Sequence, residues 1–225
     1  NFYDIENKKG DSFTSLWKCD KLEKVLRWNR KSHSTPYLSE LKRGIYFNYG
    51  LPKSTMYRPQ MAKMVVSSFE AKRVLDPCAG WGGRLLGALS VDDERNIHYI
   101  GTDPNTDHST TPGRTKYHEF ADFFNTKTYR ATGLFPKTHT YEIFQHGSEE
   151  IHNDPKFQKY KGKLDMIFTS PPYFAKEAYS EDPEQSYKKF SQYDAWREGF
   201  LRKTLETCVE YLNNDRYLLW NIADA

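Results

Sequence analysis

Val74-Leu75-Asp76-Pro77-Cys78-Ala79-Gly80-Trp81-Gly82-Gly83-Arg84-Leu85-Leu86-Gly87-Ala88-Leu89 reads as a strand, a turn and a helix in immediate succession. The apolar strand ends in an acid, glycines crowd the turn, and leucines then recur on one side of a helical segment. Glycines let the backbone approach a ligand closely, and the free N–H groups of a new helix offer donors to a polar or anionic end. The spacing is not the G-x-G-x-x-G of dinucleotide enzymes. Gly82-Gly83-Arg84 also lacks the lysine, followed by serine or threonine, of a phosphate loop. Downstream, Tyr99-Ile100-Gly101-Thr102-Asp103-Pro104 is a second strand ending in an acid, about where a βαβ nucleotide site keeps the carboxylate that holds ribose hydroxyls. A glycine loop and a ribose carboxylate without phosphate machinery point to a nucleoside cofactor. The plainer reading of Asp103 is an acid that starts a turn.

A second motif follows another buried strand. After Leu164-Asp165-Met166-Ile167-Phe168, the chain runs Thr169-Ser170-Pro171-Pro172-Tyr173-Phe174. Two prolines forbid continuation of the strand, so the chain turns at Ser170 and presents fixed carbonyls, a hydroxyl and a ring at the strand's carboxyl end. Open α/β sheets keep their chemistry there. Ser170 and the Pro171 carbonyl could accept the two N–H bonds of a planar amino-bearing ligand while Tyr173 stacks on its face. Alone, the motif could equally close a loop or serve as a polyproline docking segment.

Together the two motifs resemble motifs I and IV of the S-adenosylmethionine-dependent DNA amino-methyltransferases, which methylate N4 of cytosine or N6 of adenine. The resemblance runs from about Tyr57 to the end of the chain. It implies a Rossmann-like class I methyltransferase fold of the α/β class, with a mostly parallel sheet, helices on both faces and S-adenosylmethionine as cofactor. Carried over by position, Asp76, Cys78, Ala79, Gly80 and Gly82 fall in the cofactor loop, Asp103 on the ribose, and Ser170, Pro171, Pro172 and Tyr173 in the catalytic group that receives a flipped base, with Phe174 beside the substrate. Gly50 to Ala62 resembles motif X, which places Tyr57, Arg58 and Pro59 at the cofactor. Ser148 and Glu149, after the third strand, fall where the family contacts adenine, although Gly-Ser turns also punctuate ordinary strands.

The resemblance has departures. Serine at 170 leans toward cytosine N4, whereas motif I preceding motif IV leans toward adenine N6; the residue that touches the base is given more weight, so cytosine N4 in DNA is expected. Adenine N6, guanine N2 of RNA and a catalytically silent cofactor-binding subunit are the alternatives, in that order. Trp81 occupies a position where the family usually has a small polar residue, and its ring is expected in the sheet–helix core, where aromatic rings gain most, rather than over the cofactor. Pro77-Cys78 resembles the nucleophile pair of cytosine-C5 enzymes but lies in the wrong loop, so Cys78 reads as a small residue packed under it.

The composition is compatible with these readings. The chain has 225 residues, a formal net charge of +3 and three widely spaced cysteines, Cys19, Cys78 and Cys208, which argue against a disulfide framework or structural zinc. Neither a metal nor a membrane is expected, and a reducing cytoplasm is the expected setting, which the resemblance implies to be that of a bacterium or a phage-infected host. Arg27 to His33 and Lys127 to Arg130 interleave cations with aromatics, as phosphate contacts with stacking would, or as solvated surface does. Residues 1–49 read as a basic helical extension and 50–225 as the catalytic domain. Helices are expected at Leu16–Trp28, Arg58–Phe69, Tyr117–Phe124 and Tyr193–Leu212, where Trp196, Phe200 and Leu205 read as core. Short strands are expected at Ile45–Tyr49, Tyr141–Gln145 and Arg216–Ile222, with Ala175 to Gln192 a lid or a loop. The family's closing hairpin is not evident; either the polypeptide continues or the first fifty residues supply strands.

Overall fold

The structure is a computed structural model describing residues 6–7, 9–18, 20–32, 37–51, 56–92, 94–104, 111–132, 139–174 and 183–222, with backbone alone at 32 and 125–132. Cys19, His33, residues 105–110, and residues 175–182 of the expected lid lie outside these, as do the side chains of Lys127 to Arg130. The chain divides into two compact units, Asn1–Thr55 and Met56–Ala225.

The first unit is helical among its described residues: α1 (Phe13–Trp17), α2 (Lys21–Ser32) and α3 (Leu38–Tyr49). Ser12 and Ser15 cap α1 reciprocally, each side chain bonding the other's backbone N–H, at 3.2 and 2.9 Å. The expected single helix over Leu16–Trp28 is therefore two helices with a turn between them. The expected strand at Ile45–Tyr49 is the last part of α3. Its aromatic residues suit a strand, but Leu41 and Ile45 recur at helical spacing and reach the unit's core, with Phe13, Leu16, Val25 and Leu51. Gly50 then ends the helix in the left-handed conformation, φ 58°, and donates its N–H to the Tyr46 carbonyl.

The second unit is an α/β sandwich. Strands β1 (Arg73–Asp76), β2 (His98–Thr102), β3 (Thr140–Phe144), β4 (Leu164–Thr169) and β5 (Leu212–Trp220) form one sheet in the order β3-β2-β1-β4-β5, with every pair parallel. That is a doubly wound, Rossmann-like arrangement, as the sequence predicts. Neighbouring residues alternate between two cores, as a period of two requires. Val74, Tyr99, Met166 and Phe168 pack with α4 (Pro59–Ser68), α5 (Gly83–Leu89) and α6 (Lys116–Thr132); Leu75, Ile100, Phe144 and Ile167 pack on the other face with Phe157, Cys208 and Tyr211. Both faces are covered, so the strands read as apolar runs. Each fully buried aliphatic side chain contributes about 1.5–3 kcal/mol.

After α7 (Ser186–Lys189) comes a helical run of α8 (Tyr193–Trp196), a π-helical segment Arg197–Arg202 and α9 (Lys203–Tyr211). Trp196 and Phe200 are core, as expected, but Leu205 is 40% exposed, because α9 turns Thr204, Thr207, Cys208 and Tyr211 inward instead. The described part of the expected lid is tied down. Lys189 pairs with Glu149, Glu150 and Glu184, Trp196 Nε1 donates to Ser186 Oγ, and Phe190 seats on Gly199, where a Cβ would collide with its ring. β5 starts directly after α9, four residues earlier than predicted; its register with β4 shifts between Leu164 and Met166, and Asp215 takes φ 57° in the extra residues.

Candidate active site

The strand order reverses its direction of growth between β1 and β4, so their carboxyl ends lie side by side with a crevice outside them. Asp76 and Thr169, the last residues of these strands, join across it: Thr169 Oγ1 donates to Asp76 Oδ1 at 2.9 Å. The backbone N–H of Cys78 donates to the same oxygen at 3.3 Å, while Arg84 Nε and the Tyr99 hydroxyl each donate to Oδ2 at 2.7 Å. Asp76 is completely buried and both of its oxygens are taken by protein donors. The sequence places it at the cofactor. Its oxygens accept from β2, β4, α5 and the glycine loop, which makes it the clasp that joins these elements.

Arg84, just inside α5, completes the clasp. Its guanidinium also donates to the Cys78 carbonyl and lies 5.4 Å from the centre of the Tyr57 ring. Burial alone pulls its proton affinity down, but the charge and hydrogen bond of Asp76 outweigh that and hold it above the ordinary arginine range. Burial, then the nearby Asp76 charge, raises Tyr99 well above the usual phenol range, so it remains a donor. Tyr57 meets Phe168 edge to face at 5.4 Å, Arg58 is exposed, and Pro59 opens α4. The backbone of 57–59 approaches α5 so closely that a side chain at Gly83 would strike the Tyr57 carbonyl, and one at Gly87 the Pro59 carbonyl. The Tyr57 and Pro59 carbonyls therefore dock α4 on α5, and the Tyr57 ring braces Arg84.

The glycine loop turns on two left-handed residues, Gly80 at φ 54° and Gly82 at φ 79°. Ala79 is buried, and its N–H donates to the Thr102 carbonyl at 3.0 Å. Asp103 stands at the carboxyl end of β2, half-buried, with Oδ2 accepting the Gly80 N–H at 2.9 Å, and the Tyr117 hydroxyl donates to the Gly80 carbonyl. Burial, followed by the charges of Asp103 and Asp76, raises Tyr117 well above the phenol range. A partly solvated carboxylate beside a loop without side chains at its tightest turns suits the hydroxyls of a nucleoside. Trp81 is 36% exposed rather than in the core, because the left-handed glycines on either side swing position 81 to the surface. Cys78 is half-buried, 3.9 Å from Ser148 Oγ, and burial with the Asp76 and Asp103 charges pushes its thiol up to about 12. The thiol packs beside Ser148 under the loop, as the sequence reading expects.

Ser148 and Glu149 are both buried. Ser148 Oγ shares a 3.0 Å hydrogen bond with Thr204 Oγ1, and Glu149 pairs with Lys189 at 2.9 Å, so both side chains face α9 and α7. On the other side of the crevice, Ser170 Oγ accepts a 3.4 Å hydrogen bond from Asn221 Nδ2, and the Asn221 N–H donates to the Thr169 carbonyl at 2.9 Å. Pro171 is buried; Pro172 and Tyr173 are half-buried. Among the described residues the Pro171 carbonyl accepts no hydrogen bond and the Tyr173 ring has no stacking or hydrogen-bond partner. Phe174 differs: it packs against Tyr193 and Trp196, each at 5.7 Å, and so anchors the motif to the helical run.

Sequence reading missed Arg84, Tyr99, Tyr117 and Asn221. A charged residue on the otherwise apolar face of Gly83–Leu89 is the signal for the first, since a buried arginine demands a carboxylate. The others carry no comparable sign. A cavity of about 780 Å³ lined by Ser67, Glu70, Lys72 and Arg95 lies at the amino ends of β1 and β2, the opposite end of the sheet.

No protein-family model and no curated protein matches the chain. Among solved structures it is similar to an SAH-bound methyltransferase from Podospora anserina, at 11% identity and TM-score 0.37, with 90% of this chain and 62% of that chain covered. It is also similar to a methyltransferase from Geobacter sulfurreducens, at 10% identity and TM-score 0.38, with coverages of 90% and 71%. The chain thus spans less than two thirds of the first of these structures.

Proposed function

We propose that Met56–Ala225 is an S-adenosylmethionine-dependent methyltransferase acting on an exocyclic amino group of a base, cytosine N4 of DNA. One observation carries this reading: the Thr169–Asp76 hydrogen bond fastens Ser170 to Tyr173 beside the glycine loop at the switch point. A fold by itself names no chemistry; the pairing of the glycine loop with residues 170–173 is what supports this reading.

Asp103 would hold ribose hydroxyls, and residues 78–82 would pass beneath the cofactor with no side chain at Gly80 or Gly82 to obstruct it. S-adenosylmethionine would supply an electrophilic methyl group. The protein's share is alignment and a preorganised field for the amino nitrogen. Ser170 Oγ and the Pro171 carbonyl would accept the two amino protons, which favours a tetrahedral nitrogen with an available lone pair. Tyr173 would stack on the extruded base. No covalent nucleophile is required, consistent with a Cys78 thiol held neutral.

The test is incubation of the chain with methyl-labelled cofactor and matched DNA and RNA, followed by nucleoside mass spectrometry. N4-methylcytosine in DNA is expected. N6-methyladenine alone would overturn the base, label in RNA alone the substrate, and cofactor binding without product the activity.

Two variants probe the parts. Asp103→Ala is expected to weaken cofactor binding by about 1.5–3 kcal/mol, the range for hydrogen bonds to charged groups; unchanged calorimetric affinity would make Asp103 a turn acid. Asn221→Ala is expected to lower kcat roughly 2–10-fold, the equivalent of one ordinary hydrogen bond, without altering cofactor affinity. A change confined to cofactor binding would remove Asn221 from the orientation of Ser170.

A further inference from the structure

The net positive charge of this protein is concentrated in its first unit. Residues 1–55 contain eleven lysines and arginines against six acids, whereas 56–225 contain twenty-two against twenty-four. The unit that holds the candidate active site is therefore mildly acidic, which is unfavourable for attracting a polyanion.

Within the first unit, α2 gathers the cations. Lys24, Arg27, Arg30 and Lys31 are all exposed along the side of the helix opposite Val25, which is buried in the unit's core. Arg27 is paired with Glu23 of the same helix. Among the described residues Arg30, Lys31 and Lys24 have no carboxylate partner, and Lys24 lies 5.8 Å from the centre of the Tyr49 ring. Beside this stripe the Trp28 ring stacks on Phe47 of α3 at 5.9 Å, and Gly44 gives the indole its seat, since a Cβ there would press on both Val25 and Trp28. The outer ring of the stack, Phe47, is 75% exposed. A large apolar ring held at the surface costs solubility and contributes little to the fold.

We propose that this face of α2 and α3 is a docking surface for double-stranded DNA, with Lys24, Arg30 and Lys31 on phosphates and the Trp28–Phe47 stack against the sugar edge. The choice of DNA among polyanions rests on the function proposed above. Anionic membrane is disfavoured by the helix itself: the apolar side that would enter the acyl region is already used in the unit's core. Neutralising phosphates releases counterions, so binding should fall steeply with salt, with a slope close to 0.9 per phosphate contact.

The experiment is fluorescence anisotropy of the whole chain with a labelled mixed-sequence duplex at several salt concentrations, without cofactor, comparing the parent with R30Q/K31Q and with F47A. All three positions are exposed and outside the active-site unit. The double variant is expected to bind at least tenfold more weakly at low salt and to lose about two from the salt slope; F47A is expected to weaken binding with the slope unchanged. Parental affinity in both variants would overturn the docking surface, as would tighter, variant-sensitive binding to duplex RNA or to phosphatidylserine vesicles. Because no methyl transfer is measured, loss of binding in the variants upholds the surface even where the methylation test fails, and intact methylation with unchanged binding sinks the surface alone.

Discussion

Arg84→Met is expected to destabilise the second unit by about 3–5 kcal/mol, the usual loss when one partner of a buried ion pair is removed. The two side chains are 6% and 0% exposed, so removing the guanidinium leaves the Asp76 carboxylate buried without its countercharge. Methionine keeps most of the arginine stem, so the loss reads the charge and its hydrogen bonds rather than a cavity. The measurement is urea unfolding followed at the tryptophans of the second unit. The double variant Asp76→Leu/Arg84→Met should recover only part of the stability, because no charge is left stranded but the Thr169 and Tyr99 hydroxyls and the Cys78 N–H lose their acceptor, and for the same reason it should not recover cofactor binding. A single-variant loss below about 1 kcal/mol would show that the pair behaves as a solvated surface bridge.

Tyr173→Ala is expected to leave cofactor affinity nearly unchanged while lowering methyl transfer by roughly one to two orders of magnitude, since base–aromatic stacking is worth about 1–3 kcal/mol. The split is what identifies the residue. Tyr173 has no ring or hydrogen-bond partner among the described residues, so its removal should not disturb the fold, and Phe174 remains to hold the motif against Trp196. Tyr173→Phe should retain most activity, because stacking requires the ring and not the hydroxyl. Equal loss of cofactor binding and turnover in Tyr173→Ala would place the ring in the cofactor's own pocket. Methylation at the parental rate would remove the motif from the active site.

Local patterns carried much of the architecture. Val74–Asp76, Tyr99–Thr102 and Leu164–Thr169 are apolar runs bounded by acids, glycines or prolines, and such runs have few alternatives to a buried parallel strand. The helix Gly83–Leu89 follows from its glycine turn and leucine spacing. Where the pattern was short or mixed it misled: Ile45–Tyr49 is rich in strand formers, yet the spacing of Leu41 and Ile45 and the left-handed stop at Gly50 make it helical. Trp81 was expected inside on the strength of its size, whereas two left-handed glycines direct it outward.

By itself the sequence determined that a glycine loop and a proline-stopped strand exist and that each ends a buried strand, because backbone restriction at glycine and proline acts locally and needs no tertiary partner. Only the tertiary structure decided which donors reach each acid. Asp76 and Asp103 look alike as strand-terminal acids, but strand order puts Arg84, Tyr99 and Thr169 around the first and leaves the second half-buried beside Gly80. A carboxylate's role is set by the donors that reach it, and those donors come from residues up to ninety-three positions away in the chain.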